Sequence, residues 1–136
     1  GLPRPAHPSL ERGAVKIRLS EHDLPAFDDF VGLVRSAHAD DRPVAVHCVT
    51  RSELALAAAV LRCAGVREGD RIEHAAVAPP ELAELLGDLG VCVVTQPHFV
   101  RERGDAYLED VDPLDRPWLY RCRGLLAAGV PRLELV

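Results

Sequence analysis

Two histidines stand at matching places in this chain, each closing a short apolar run: Val44-Ala45-Val46-His47 and Arg71-Ile72-Glu73-His74. A single helical segment separates them. Strand, helix and strand in that order form a right-handed parallel unit, which puts both imidazoles at the carboxyl-terminal edge of one sheet, where α/β proteins place their chemistry. Lys16 lies on an earlier strand, and Gln96 and His98 lie just past a later one. Neighbouring strands are about 4.8 Å apart, so inward side chains at matching heights can converge on one ion. Neutral imidazole suits Zn²⁺, Ni²⁺ or Fe²⁺, and such an ion lowers the pKa of bound water from about 15.7 to about 7. A buried lysine joins such a site only when neutral or modified, for instance carboxylated by CO₂.

Each residue also has an ordinary reading. A lone histidine at a strand end is usually hydrogen-bonded or half-exposed, and Lys16 alone reads as a strand-edge lysine with its head in water. Glu73 alternates away from its neighbour and pairs with Arg71 as a rim contact. His22 and His38, near helix ends, read as surface residues, as does His7. Cys48 follows His47 and points to the opposite face of the strand, which argues against a shared Cys-His site.

The elements that must position these residues follow from periodicity. Residues 1–12 carry three prolines and read as an extended N-terminal segment, and residues 13–136 as one domain. Strands are predicted at 14–19, 43–48, 71–75 and 91–95, with 130–136 as a possible fifth. The first helix is expected from an Asp23 cap to His38, with Phe27, Phe30, Val31 and Val34 inward. Thr50-Arg51-Ser52-Glu53 is a capping box opening a second helix that stops at Gly65, and a third runs from Pro79 to Leu89. Residues 102–115 hold six carboxylates and read as a lid, a rim or a solvated loop. Asp115 and Pro117 start a fourth helix, with Trp118, Leu119, Cys122, Leu125 and Leu126 inward. The result is (βα)4β, either an open doubly wound sheet or about half of a (β/α)8 barrel.

Composition narrows the partners. With 136 residues and 48% apolar content, one domain with a real core is expected. A formal charge of −5 without a basic cluster argues against nucleic acid and anionic membranes, leaving small molecules. No apolar run is long enough to span a membrane and no signal peptide opens the chain, which points to the cytoplasm. The four cysteines form no Cys-x-x-Cys pair and read as reduced, mostly buried thiols. The absence of methionine suggests a processed chain or a piece of a longer one.

Taken in order, Gly13-Ala14-Val15-Lys16-Ile17, Val44-Ala45-Val46-His47, Arg71-Ile72-Glu73-His74 and Val94-Thr95-Gln96-Pro97-His98 resemble the successive strand-end motifs of the amidohydrolase superfamily, in its family 3 branch of N-substituted formamide deformylase-like proteins. The resemblance covers nearly all of the chain after residue 12 and corresponds to barrel units four to seven. It implies a (β/α)8 barrel with one or two divalent metals, zinc foremost, that hydrolyses an amide-like C–N bond of a small molecule with metal-bound hydroxide. His47 and His74 would be histidine ligands, Lys16 a third ligand position with a carboxylated form in view, and Gln96 and His98 would line the substrate pocket. The family's His-x-His pair and its eighth-strand aspartate have no counterpart, since Arg132-Leu133-Glu134-Leu135-Val136 follows Gly129-Val130-Pro131. No catalytic base is therefore assigned. The expectation is that activity needs residues from elsewhere, through a homo-oligomer or association with further barrel segments. The alternatives are a non-catalytic half-barrel acting through self-association or ligand binding, and an open flavodoxin-like binding fold, which the lack of a Gly-rich phosphate loop disfavours.

Overall fold

The computed structural model describes residues 11–136; the N-terminal segment assigned to 1–12, with His7, lies almost wholly outside them. Five parallel strands, β1 (Val15–Arg18), β2 (Val44–Cys48), β3 (Arg71–His74), β4 (Cys92–Thr95) and β5 (Leu133–Leu135), lie side by side in the order of the sequence. A strand order that never reverses, joined by right-handed crossovers, puts all the helices on one face. That is the singly wound arc of a (β/α)8 barrel wall, and the doubly wound alternative falls away. The helices are α1 (Phe27–Ala39), α2 (Arg51–Ala64), α3 (Pro80–Leu89), α4 (His98–Asp110) and α5 (Cys122–Ala127).

The core lies between the sheet and helices α1, α2, α3 and α5. Ile17, Val46, Ile72 and Val93 share one row across the sheet and point into it, next to Phe30, Leu54, Leu61, Leu86 and Leu125. β-branched residues fill these strands because their stiff side chains pack well on a pleated surface. The opposite, concave face carries Lys16, Arg18, His47, Arg71, Glu73 and Glu134, all of them half-buried or exposed. The sheet thus separates an apolar helix layer from a charged hollow. Among the described residues no helix is long and apolar enough to cross a membrane.

Four local expectations need correction. Helix α1 begins at Phe27 behind Ala26, not at Asp23, and no side chain caps it. Phe27 is exposed, while Phe30, Val31, Val34 and Ala37 are buried. The acidic stretch is not a loop over most of its length: α4 runs from His98 to Asp110, with Arg101 and Asp105 at the i, i+4 spacing that supports a solvated helix. The fourth predicted helix is split into a 3₁₀ turn at Arg116–Trp118 and α5, because Tyr120 adopts φ +46° between them and no continuous helix passes such a residue. Leu125 of α5 is buried, but Leu126 is exposed.

His38 is not a surface residue. Its Nε2 lies 2.9 and 3.1 Å from the two carboxylate oxygens of Asp70, which is buried at the amino-terminal end of β3. Of the cysteines, all free, Cys48 is buried, Cys63 exposed, and Cys92 and Cys122 half-buried. Burial pushes the Cys48 thiol far above its usual range, with the nearby Glu53 charge adding to the effect.

Candidate metal centre

β2 and β3 bring the two histidines together by an unexpected route. In the sheet register His47 lies beside Glu73, and His74 lies beside Cys48. Side chains alternate along a strand, so regular geometry would send His74 into the helix layer with Cys48. Instead the backbone turns left-handed at His74 (φ +76°) and again at Ala75 (φ +44°). This swings the ring onto the concave side, where it meets His47 edge-to-face with centroids 4.4 Å apart. Left-handed backbone at a residue other than glycine costs about 1–3 kcal/mol and persists where its surroundings hold it.

Those surroundings are visible on both strands. Directly after the turn, Ala76 accepts a hydrogen bond from the Tyr120 amide (2.8 Å) and the Ala78 amide donates to Trp118 (3.1 Å), with an antiparallel bridge between Val77 and Leu119. The segment that follows α4 therefore crosses the mouth of the sheet and pins the β3 loop. Arg51 joins it by an ion pair with Asp115 at 2.5 Å. After β2, the buried Glu53 carboxylate accepts from the amides of Val49 (2.6 Å) and Thr50 (3.0 Å), while Thr50 Oγ1 accepts from the Glu53 amide (3.2 Å). The predicted capping box is present, and it fixes the chain two residues beyond His47.

Burial is the main cause that lowers the pKa of each histidine. For His47 the attraction of Glu53 opposes it, while for His74 the proximity of His47 reinforces it. Both rings are thus biased toward the neutral form that donates to metals. Folded rings with lowered pKa values bind fewer protons than unfolded ones below about pH 6.5, so stability falls as pH drops through that value. Both rings are partly exposed, so solvent screening keeps this loss small. Urea unfolding at pH 7.5 and 5.5 should show this acid loss in the wild type, and a smaller one in the His47→Asn/His74→Asn variant. Equal losses would sink the assignment.

Lys16 sits two strands from His74, and its amine lies 3.1 Å from Glu73 Oε2. Arg71 reaches the other oxygen of the same carboxylate at 3.3 Å. The expected Arg71–Glu73 contact is present, and Lys16 is its unforeseen third member. Gln96 lines a cavity of about 420 Å³ together with Lys16, Arg71, Glu73, His74 and Glu134. His98 is exposed at the start of α4 and packs against Phe99, ring centroids 4.7 Å apart, and it does not line this cavity. Glu134, which sequence reasoning set aside, shares a sheet row with Val94, Glu73 and His47. Strand alternation on either side of Leu133 is the signal that points to it.

In three dimensions the chain is similar to an uncharacterized metal-dependent hydrolase from Pyrococcus furiosus, at 25% identity and a TM-score of 0.71, covering 83% of this chain and 23% of that one. A second such hydrolase, from Pyrococcus horikoshii OT3, gives 26% identity and a TM-score of 0.68 over 82% of this chain and 22% of the other. The fold is that of a segment of metal-dependent hydrolases. Ochratoxinase from A. niger shares it at 18% identity and a TM-score of 0.62, over 90% and 30% of the two chains. This chain therefore spans less than a third of the length of each of these structures. No protein-family model and no curated protein matches it.

The donor set can be tested against the metal that such a fold implies. Two neutral-biased imidazoles in contact suit a divalent ion of the Zn²⁺ type. Among the described residues no third His, Cys, Asp or Glu completes a group of three with them. Lys16 in its ammonium form, held by Glu73, has no lone pair to offer. Among the described residues the donor set is thus two imidazoles and no more.

Proposed function

We propose that this chain is the histidine-bearing arc of a metal-dependent amidohydrolase barrel of the family 3 type, acting on an amide-like C–N bond of a small molecule. The observation that carries this reading is the left-handed turn at His74 and Ala75, which takes a ring out of its regular register and sets it against His47.

His47 and His74 are the imidazole donors. A divalent ion, zinc first, would supply hydroxide near neutral pH by lowering the pKa of water to about 7. Glu53 keeps the His47 loop in place, and the Tyr120–Ala76 hydrogen bond does the same for His74. Gln96 lines the cavity where substrate would lie, and His98, at the start of α4, lies outside its lining. Carboxylation of Lys16, which would make it a third ligand, requires its amine to leave Glu73. The remaining ligands and the proton-accepting carboxylate are contributed by further βα units, from the same polypeptide or a second copy. The charged hollow and the outer edges of β1 and β5, unpaired among the described residues, suit such completion. Free thiols agree with a reducing compartment, the cytoplasm.

The test is a zinc titration followed through the imidazole ¹⁵N resonances. The His47 and His74 signals are expected to move together and saturate, while those of His22 and His38 stay in place. If the pair stays unshifted while the exposed His22 ring responds, the metal reading is lost. Chelator-sensitive release of formate from an N-substituted formamide would then test the reaction itself.

A further inference from the structure

The two histidine loops leave the sheet side by side, and Cys48 and His74 are the last residues of β2 and β3 in register. Beyond that point other contacts must hold the loops together. The β3 loop is fastened to the segment after α4 by the Tyr120 amide on Ala76 (2.8 Å), the Ala78 amide on Trp118 (3.1 Å) and the Val77–Leu119 bridge. Earlier in the same segment stands Asp115, whose Oδ1 lies 2.5 Å from Arg51 Nη2. Arg51 is the first residue of α2, and Glu53 locks that helix start to the His47 loop through the amides of Val49 (2.6 Å) and Thr50 (3.0 Å). A closed circuit results. It runs from His47 through Arg51, Asp115, Tyr120 and Ala76 to His74, and the edge-to-face contact of the two rings completes it. The Asp115 side chain is only 19% exposed, so the pair is less screened than one in open water. Arg51 Nε is itself buried, which encloses the inner part of the guanidinium and restricts its rotamers. Less entropy then opposes the ion pair.

We propose that Arg51 is a positioning residue for the metal centre: through Asp115 it clamps the segment that holds the His74 loop to the helix start that holds the His47 loop, and so fixes the separation of the two rings. Two donors that are already held in place bind an ion without having to be ordered first, so slack between the loops lowers affinity. The ligand role of the rings rests on the hydrolase reading. The clamp itself belongs to the metal-free chain and is read there as well.

The test is a double-mutant cycle of Arg51→Met, which keeps the apolar stem, and Asp115→Asn, which keeps the shape of the side chain. Circular dichroism checks that both variants fold. In metal-free protein the nuclear Overhauser contact between the His47 and His74 ring protons should weaken in each, and the Ala78 and Tyr120 amides should exchange faster. Zinc affinity, read against an indicator, should fall about tenfold in each single variant, the scale for groups that orient ligands. The double variant should lose no more than either single one, because both remove the same interaction. An unchanged ring contact together with unchanged zinc affinity in folded Arg51→Met overturns the clamp, as does a double variant whose loss is the product of the single losses. If the wild type takes up no zinc while the ring contact still weakens in the variants, the hydrolase reading fails and the clamp stands.

Discussion

Replacing Asp70 by alanine is expected to destabilise the protein by about 3–5 kcal/mol, the range for breaking a buried, fully hydrogen-bonded charged group. The carboxylate is fully buried and accepts from the amide of Val44 (2.8 Å), from the amide of Arg67 (2.8 Å) and from the ring of His38. These partners belong to the start of β2, the turn before β3 and the end of α1, so a single side chain ties three elements together at the amino-terminal end of the arc. Alanine leaves two backbone N–H groups without an acceptor in a place that water does not reach. Each such orphan costs about 1–3 kcal/mol, and the ring is left unpaired as well. Asp70→Asn keeps one acceptor oxygen and should lose roughly half as much. Urea denaturation reads both values. A midpoint for Asp70→Ala within 1 kcal/mol of wild type would mean that the cluster contributes little. Because Asp70 lies at the end of the sheet opposite His74, zinc uptake by the folded fraction should be unchanged.

The same residue shows where the sequence could be read and where it could not. β2 and β3 were legible because each short segment, Val44–Cys48 and Arg71–His74, lies between a turn and the start of a helix in a repeating βα rhythm, and α2 because Thr50 and Glu53 form a capping box at fixed spacing. His38 and Asp70 are 32 residues apart, and nothing local in either stretch signals that they meet. Helix α4 was missed for a different reason. Six of its thirteen residues are charged and it includes Gly104, so it has no apolar stripe to reveal its period, and its support comes from charge spacing along its own length. The helical spacing of residues 115–129 was real, but Tyr120 breaks it with a backbone angle that no residue type announces. In the site, the presence of His47 and His74 at strand ends was legible from their positions. The backbone route to their contact was not, because strict alternation from the observed register points His74 the wrong way.

That turn supplies the second large effect. Ala75 sits at φ +44° and is only 1% exposed, flanked by His74 at φ +76°. Ala75→Val should destabilise the protein by about 2–3 kcal/mol, since a β-branched side chain is a strong outlier in the left-handed region and the buried position has no room for two added methyl groups. Its second consequence concerns the site. To relieve the strain the backbone must leave the left-handed region, and His74 then returns toward the direction of Cys48 and away from His47. Zinc affinity should fall by about a hundredfold although no ligand has been changed, the scale seen when the groups that orient metal ligands are removed. Ala75→Gly is the control, because glycine accepts positive φ without a penalty and should keep the pair intact. Competition titrations against a zinc indicator, run on both variants, decide the matter. Undiminished zinc binding in a folded Ala75→Val protein would show that the left-handed turn is not what brings the two rings together for metal.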